Sequence, residues 1–286
     1  MKHILLGGLL LASIFKPVAT LKTAPNVPVE NLNISILLDL SDRISTTKHH
    51  DGTMEFYKRD IEYIKTIENA FMAHVKRKKI FQLNDDMQVF FSPAPKDPRI
   101  NNLSELLRVN FDRKSSKKTI STTDQAYAEI PQQIYQAALK DQIFVGADIW
   151  RFFKNNVHDY CIKPNRRNIL VILTDGYMYH KDSKFTQGGK SSYITPAYLK
   201  SKKLTTSAFG SVMQKNGLGF IPATSGLQNL EIIVLNINPS LNSPYEEDVI
   251  KRYWSDWLRA MNVKKYTLQT TDLPSALNPV IQKMIL

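Results

Sequence analysis

Ile34-Ser35-Ile36-Leu37-Leu38-Asp39-Leu40 is an almost unbroken apolar stretch carrying one charge, Asp39, near its end. Asn168-Ile169-Leu170-Val171-Ile172-Leu173-Thr174 repeats the arrangement, with Asp175 next in line. A strand that alternates apolar and polar residues leaves one face in water. A strand apolar throughout is covered on both faces, as in a parallel sheet with helices on either side. Working outward, residues 230–237 (LEIIVLNI) read as a third buried strand, 87–92 (MQVFFS) as a strand closed by Pro93, and 265–270 as an edge strand. Between them apolar residues recur every three or four positions. Tyr57, Ile61, Ile64, Ile67, Phe71 and Val75 set one face of a long helix over 56–75, and further helices are expected at 130–139, 149–157, 245–261 and 274–285. Residues 96–123 read as loops around a helix near 103–109. Alternating strand and helix predicts an α/β fold, a doubly wound, mainly parallel, Rossmann-like sheet with helices on both faces.

The chain has 286 residues, 43% hydrophobic and 10% aromatic, enough for a well-buried core and unlike a disordered or fibrous protein. One domain over 31–286 is expected, because no Pro/Gly/Ser-rich linker divides it. Residues 4–15 (ILLGGLLLASIF) follow Met1-Lys2-His3 and precede Pro17. This is the pattern of a secretory signal within residues 1–24, with an uncleaved anchor or buried helix as the alternative, and it places the protein outside the cytoplasm, periplasmic or extracellular. The run is shorter than the ~20 residues that cross a bilayer, and no later segment is apolar enough to span. Cys161 is the only cysteine, so no internal disulfide forms. Net charge is +12, or +9 without Lys2, Lys16 and Lys22. Such an excess suits anionic surfaces or polymers. The basic clusters 76–79, 113–118, 166–167 and 200–203 are short, however, and read as solvated faces. No aromatic-interleaved, zinc-finger or helix-turn-helix pattern accompanies them, so nucleic acid is not an expected partner.

Ligands of doubly wound sheets bind outside the carboxyl ends of the strands, where Asp39 and Asp175 both stand. Two carboxylates a few ångströms apart need a cation or a shared proton. Ser41, two residues past Asp39, can aim a hydroxyl at the same point. Carboxylates and hydroxyls are hard donors, suited to Mg²⁺, Mn²⁺ or Ca²⁺ rather than zinc. The segments LLDLSDR (37–43), FVGADIWRFF (144–153) and LVILTDG (170–176), in that order, resemble the von Willebrand factor A domains. That family builds a metal-ion-dependent adhesion site from an Asp-x-Ser-x-Ser turn, a mid-chain Thr or Asp, and a later Asp often within Thr-Asp-Gly. The resemblance covers nearly the whole chain after the leader. It implies a metal site of Asp39, Ser41, Asp148 and Asp175, and adhesion-type binding of a protein or other anionic partner. Two departures stand out. Arg43 replaces the second Ser, cannot ligate a metal, and is free to pair with Asp42 or with an acidic partner. Asp148 takes the Thr position, or else caps the following helix.

Other residues carry weaker signals. His49-His50-Asp51 lies in a polar loop where adjacent side chains diverge, and His180 reads as an exposed loop residue. Gly188-Gly189-Lys190-Ser191 lacks the earlier glycine and preceding strand of a phosphate loop. Trp254 and Trp257 read as core, and Cys161 as a small core residue. The long stretch 176–226 leaves a strand at its carboxyl end and is expected to lie over the same edge as Asp39 and Asp175, as a partner-contacting insertion. The leading function is a metal-dependent binding module. The alternatives are a metal-dependent phosphate or ester hydrolase, for which no base or nucleophile is evident, and a metal-free scaffold with a basic surface.

Overall fold

The computed structural model describes residues 30–141, 144, 146–240 and 243–286. The expected signal lies outside the described residues. In chain order the elements are β1 (Leu32–Leu38), α1 (Phe56–Lys76), β2 (Asp85–Phe91), α2 (Pro98–Leu106), β3 (Val109–Phe111), α3 (Lys117–Asp141), α4 (Ile149–Asn155), α5 (Val157–Cys161) and β4 (Arg167–Leu173). Then follow β5 (Thr186–Gln187), β6 (Lys190–Ser191), α6 (Pro196–Ser201), α7 (Phe209–Asn216), β7 (Gly219–Phe220), β8 (Leu230–Ile237), α8 (Glu246–Ala260), β9 (Lys265–Thr270) and α9 (Pro274–Ile285).

The main sheet runs β3-β2-β1-β4-β8-β9. All its pairings are parallel except β2 with the short edge strand β3. Because successive residues of a strand point to opposite faces, the apolar runs split cleanly between two cores. Ile34, Ile36, Ile169, Val171, Ile233 and Leu235 face α1, α3 and α9. Leu37, Leu170, Ile172, Ile232 and Val234 face α4, α5, α8 and the insertion. Both layers bury side chains fully, which is why the mid-runs of β4 and β8 are apolar, while β1 admits only the small polar Asn33 and Ser35.

Two expectations need correction. The segment read as loops around one helix holds α2, β3 and the start of α3, and α3 is a 25-residue helix, much longer than the segment 130–139 assigned from periodicity. Its first turns (KKTISTT) are polar and partly β-branched, so they show no apolar stripe, while Tyr127, Ile130, Ile134 and Tyr135 further along are buried. The segment read as one helix over 149–157 is in fact interrupted: α4 ends at Asn155 and α5 begins at Val157.

The stretch between β4 and β8 is an ordered layer. It holds the β5-β6 hairpin, β7 beside β6, and two short helices. Gly188 and Gly189 form the hairpin tip, both at positive φ, a conformation open to glycine. Trp254 donates to the Gly176 carbonyl at 2.9 Å, and Trp150 and Trp257 both donate to the Ile221 carbonyl, at 2.8 and 2.9 Å. Three indoles thus tie both ends of this layer to the helices below it. Trp254 and Trp257 are core residues, as the sequence suggested.

Candidate functional site

Strand register places the two aspartates. Leu38 of β1 pairs with Leu173 of β4, and the ladder continues beyond the strands: Asp39 N–H donates to the Leu173 carbonyl at 3.0 Å, and Asn238 N–H to the Asp175 carbonyl at 2.9 Å. Asp39 and Asp175 therefore leave adjacent central strands at the same, carboxyl, edge. Asp39 is fixed by three donors: Ser41 N–H at 2.8 Å on Oδ1, Thr174 Oγ1 at 2.8 Å on Oδ2, and Arg43 Nε on its own carbonyl at 3.0 Å. Asp175 accepts from Tyr177 N–H at 2.9 Å. Burial, together with the charge of Asp39, pushes the Asp175 carboxyl up to about 8, against the pull of Arg43 and of the Tyr177 N–H.

Arg43 does not reach Asp42 or the solvent, contrary to the pairing expected from the sequence; Asp42 is held by Lys48 at 2.9 Å. The guanidinium turns inward. Nη2 donates to Asp60 Oδ2 at 2.5 Å and to the Leu173 carbonyl at 3.0 Å, and Nε lies 3.6 Å from Asp39 Oδ2. Asp60, fully buried in α1, also accepts from Tyr135 Oη and from Asn236 Nδ2, each at 2.8 Å. Sequence reasoning missed Asp60, Tyr135 and Asn236. The available signal was Asp60 itself, a carboxylate on the apolar face of α1, three residues after Tyr57 and four before Ile64. Asn236 sits at φ +72, beside an irregularity in the β8–β9 pairing, which aims its amide into this network.

Arg43 is thus one cation shared by three acids, Asp39, Asp60 and Asp175. With all of them ionised the group is negative by two charges, the amount a divalent cation would balance. The donor set fits such an ion. Two carboxylates and the Ser41 hydroxyl, which makes no hydrogen bond among the described residues, are hard oxygens. No cluster of three or more His, Cys, Asp or Glu side chains suited to a metal occurs among the described residues.

Asp148 is placed differently from the other three. Its Oδ1 accepts from Arg151 N–H at 3.1 Å as the cap of α4, and its Oδ2 accepts from Ser183 Oγ at 2.5 Å, with Arg151 Nε at 3.2 Å and His180 Nδ1 at 3.3 Å. Both oxygens are engaged there, the capping alternative read from the sequence. His180 is buried beside Asp148, a correction to its reading as an exposed residue. Of the neighbouring His-His-Asp stretch, His50 meets Glu55 at 2.8 Å and Asp51 meets Arg59 at 2.6 Å, while His49 reaches the cavity rim.

A cavity of about 350 Å³ opens over this edge. Ser41, Asp42, Arg43 and Asp175 line its polar side, and Tyr177, Tyr179, Pro196 and Pro239 its apolar side. The insertion, from which Tyr177, Tyr179 and Pro196 come, therefore lies against the aspartate edge.

No protein-family model matches the chain, and no curated protein matches it. Some solved structures are similar to it at low identity and low TM-score. A pilus adhesin, SpaC from Lactobacillus rhamnosus GG, is 11% identical with a TM-score of 0.39 over 91% of this chain and 30% of its own. The PilB minor pilin from Streptococcus sanguinis, as a D319A mutant, is 9% identical with a TM-score of 0.43 over 92% of this chain and 62% of its own. The manganese-loaded TRAP protein from Plasmodium vivax is 12% identical with a TM-score of 0.33 over 91% of this chain and 75% of its own. The chain thus spans less than two thirds of the adhesin and of the pilin.

Proposed function

We propose that the protein is a binding module in which Asp39, Ser41 and Asp175 hold a divalent cation, Mg²⁺ or else Mn²⁺ or Ca²⁺. When bound, the ion offers a hard Lewis-acidic position to an oxygen of a protein or other anionic partner. The single observation that supports this most is the Asp39–Asp175 pair, two carboxylates so disposed that one retains its proton to about 8 when no cation is present. Tyr177, Tyr179 and Pro196 supply the side-chain contacts to the partner from the insertion, and Asp148 steadies the loop that carries Gly146 and Ala147 to the cavity wall. The expected leader places this activity outside the cytoplasm.

Binding is favoured over hydrolysis because no activated nucleophile accompanies the carboxylates among the described residues. Ser41 has no base on its hydroxyl, and Cys161 is buried at the other end of β1, where its carbonyl accepts from Asn33. The test is thermal unfolding during Mg²⁺ or Mn²⁺ titration against a chelator. The wild type gains several degrees, Ser41→Ala gains less, and Asp175→Asn gains nothing. A wild type indifferent to every divalent ion, or an Asp175→Asn variant that responds as the wild type does, overturns the assignment.

A further inference from the structure

We propose that the opposite, amino-terminal edge of the sheet docks on an anionic lipid bilayer. The turn Ile80–Gln82, between α1 and β2, carries the most exposed pair of adjacent large apolar side chains among the described residues, Ile80 at 56% and Phe81 at 60%. The turn is stiff. Lys79 N–H donates to Gln82 Oε1 at 3.1 Å, and Leu83 behind it is buried, so the two side chains are held outward. Exposed cations flank it. Arg77 and Lys79 precede the turn, Arg113 and Lys114 follow β3 where that antiparallel strand ends beside Asp85, and Lys264 precedes β9. Since β3 and β9 are the two edge strands, these charges span the full sheet, on the order of 25 Å.

Most acids of this edge are already neutralised. Asp85 is bound by Lys78 at 2.6 Å, Asp86 by Lys163 at 2.9 Å and by Arg166, and Glu231 by Arg167 at 2.8 Å and Lys265 at 2.7 Å. The ion pairs of this edge do not engage Arg77, Arg113, Lys114 or Lys264 among the described residues, so their charge is available to a partner, with Asp112 beside Arg113 the one acid set among them. A broad basic rim around two protruding apolar side chains matches a headgroup layer, which offers diffuse negative charge at the surface and hydrocarbon beneath. The surface is independent of the metal reading. Docked this way, the domain holds the Asp39–Asp175 edge away from the bilayer.

The test is co-sedimentation of the full chain, in chelator, with phosphatidylcholine vesicles with and without phosphatidylglycerol. Binding is expected only with the anionic lipid and is expected to weaken with salt. The Arg77→Gln/Lys79→Gln variant loses about twenty-fivefold in partitioning, about fivefold per cation, and Ile80→Ser/Phe81→Ser loses about tenfold. Phe81→Trp adds an exposed indole to three buried ones, and its emission shifts to the blue on vesicles that bind. Full-chain binding unchanged by both double variants assigns the affinity to the leader and overturns the proposal. So does binding to an oligonucleotide as tight as to vesicles and equally insensitive to Ile80→Ser/Phe81→Ser, which makes the edge a general polyanion site.

Discussion

Asp175→Asn should make the metal-free protein more stable at alkaline pH and nearly indifferent to pH where the wild type is not. In the folded wild type the carboxyl holds its proton to about 8, whereas in the unfolded chain it releases it near the ordinary 3.8. Between those values the folded state binds more protons than the unfolded, so stability is complete below about 4 and declines as pH rises towards 8. A carboxyl so displaced disfavours its charged form by roughly 5 kcal/mol. Asp175 is half-buried, and screening by water reduces the expected loss to about 2–3 kcal/mol. Asparagine keeps the shape and the Tyr177 N–H contact and has no charge to suppress. Urea unfolding in chelator, at intervals from about pH 5 to about pH 9, measures the difference directly. The variant should gain about 2–3 kcal/mol over the wild type at the alkaline end and much less at the acid end. A wild type whose stability is flat across that range, or a variant with the same slope, refutes the claim that burial and the charge of Asp39 hold the proton on Asp175.

Arg43→Met should cost about 3–5 kcal/mol, because Asp60 is left charged and buried; chemical denaturation should show much of the loss recovered in Arg43→Met/Asp60→Leu, and a double variant as weak as the single counts against the pair. Asp148→Ala should cost about 2 kcal/mol through the α4 cap and the Ser183 contact, with the Mg²⁺-dependent rise in melting temperature intact; loss of that rise would bring Asp148 into the ion's coordination. Cys161, buried and pushed up to about 12, should resist maleimide in the native state at neutral pH and react on unfolding, as followed by mass spectrometry. Gly176→Ala should destabilise by about 2 kcal/mol in the same denaturation assay, since φ is +92 and a Cβ would stand 2.7 Å from Ile250 Cγ2.

The parallel sheet was legible because its central strands are buried on both sides and advertise themselves as apolar runs. Asp39 and Asp175 were legible for the same reason: a charge cannot sit inside such a run, so each marks where a strand emerges, and a parallel sheet sends all those ends to one edge. What eluded the sequence depends on three-dimensional neighbours. The inward turn of Arg43 is decided by Asp60, seventeen residues away on a helix, and the burial of His180 by a loop folding over Asp148. The early turns of α3 carry no apolar stripe, and β3 is a three-residue strand, too short for any alternation to show.

The three indole tethers give the insertion a consequence for recognition. A segment pinned at Gly176 and Ile221 is held before any partner arrives, so a partner of the proposed site that met Tyr177, Tyr179 and Pro196 would bear less of that ordering cost. Encounter rates should then vary little among related partners, and discrimination should reside in how long each complex survives.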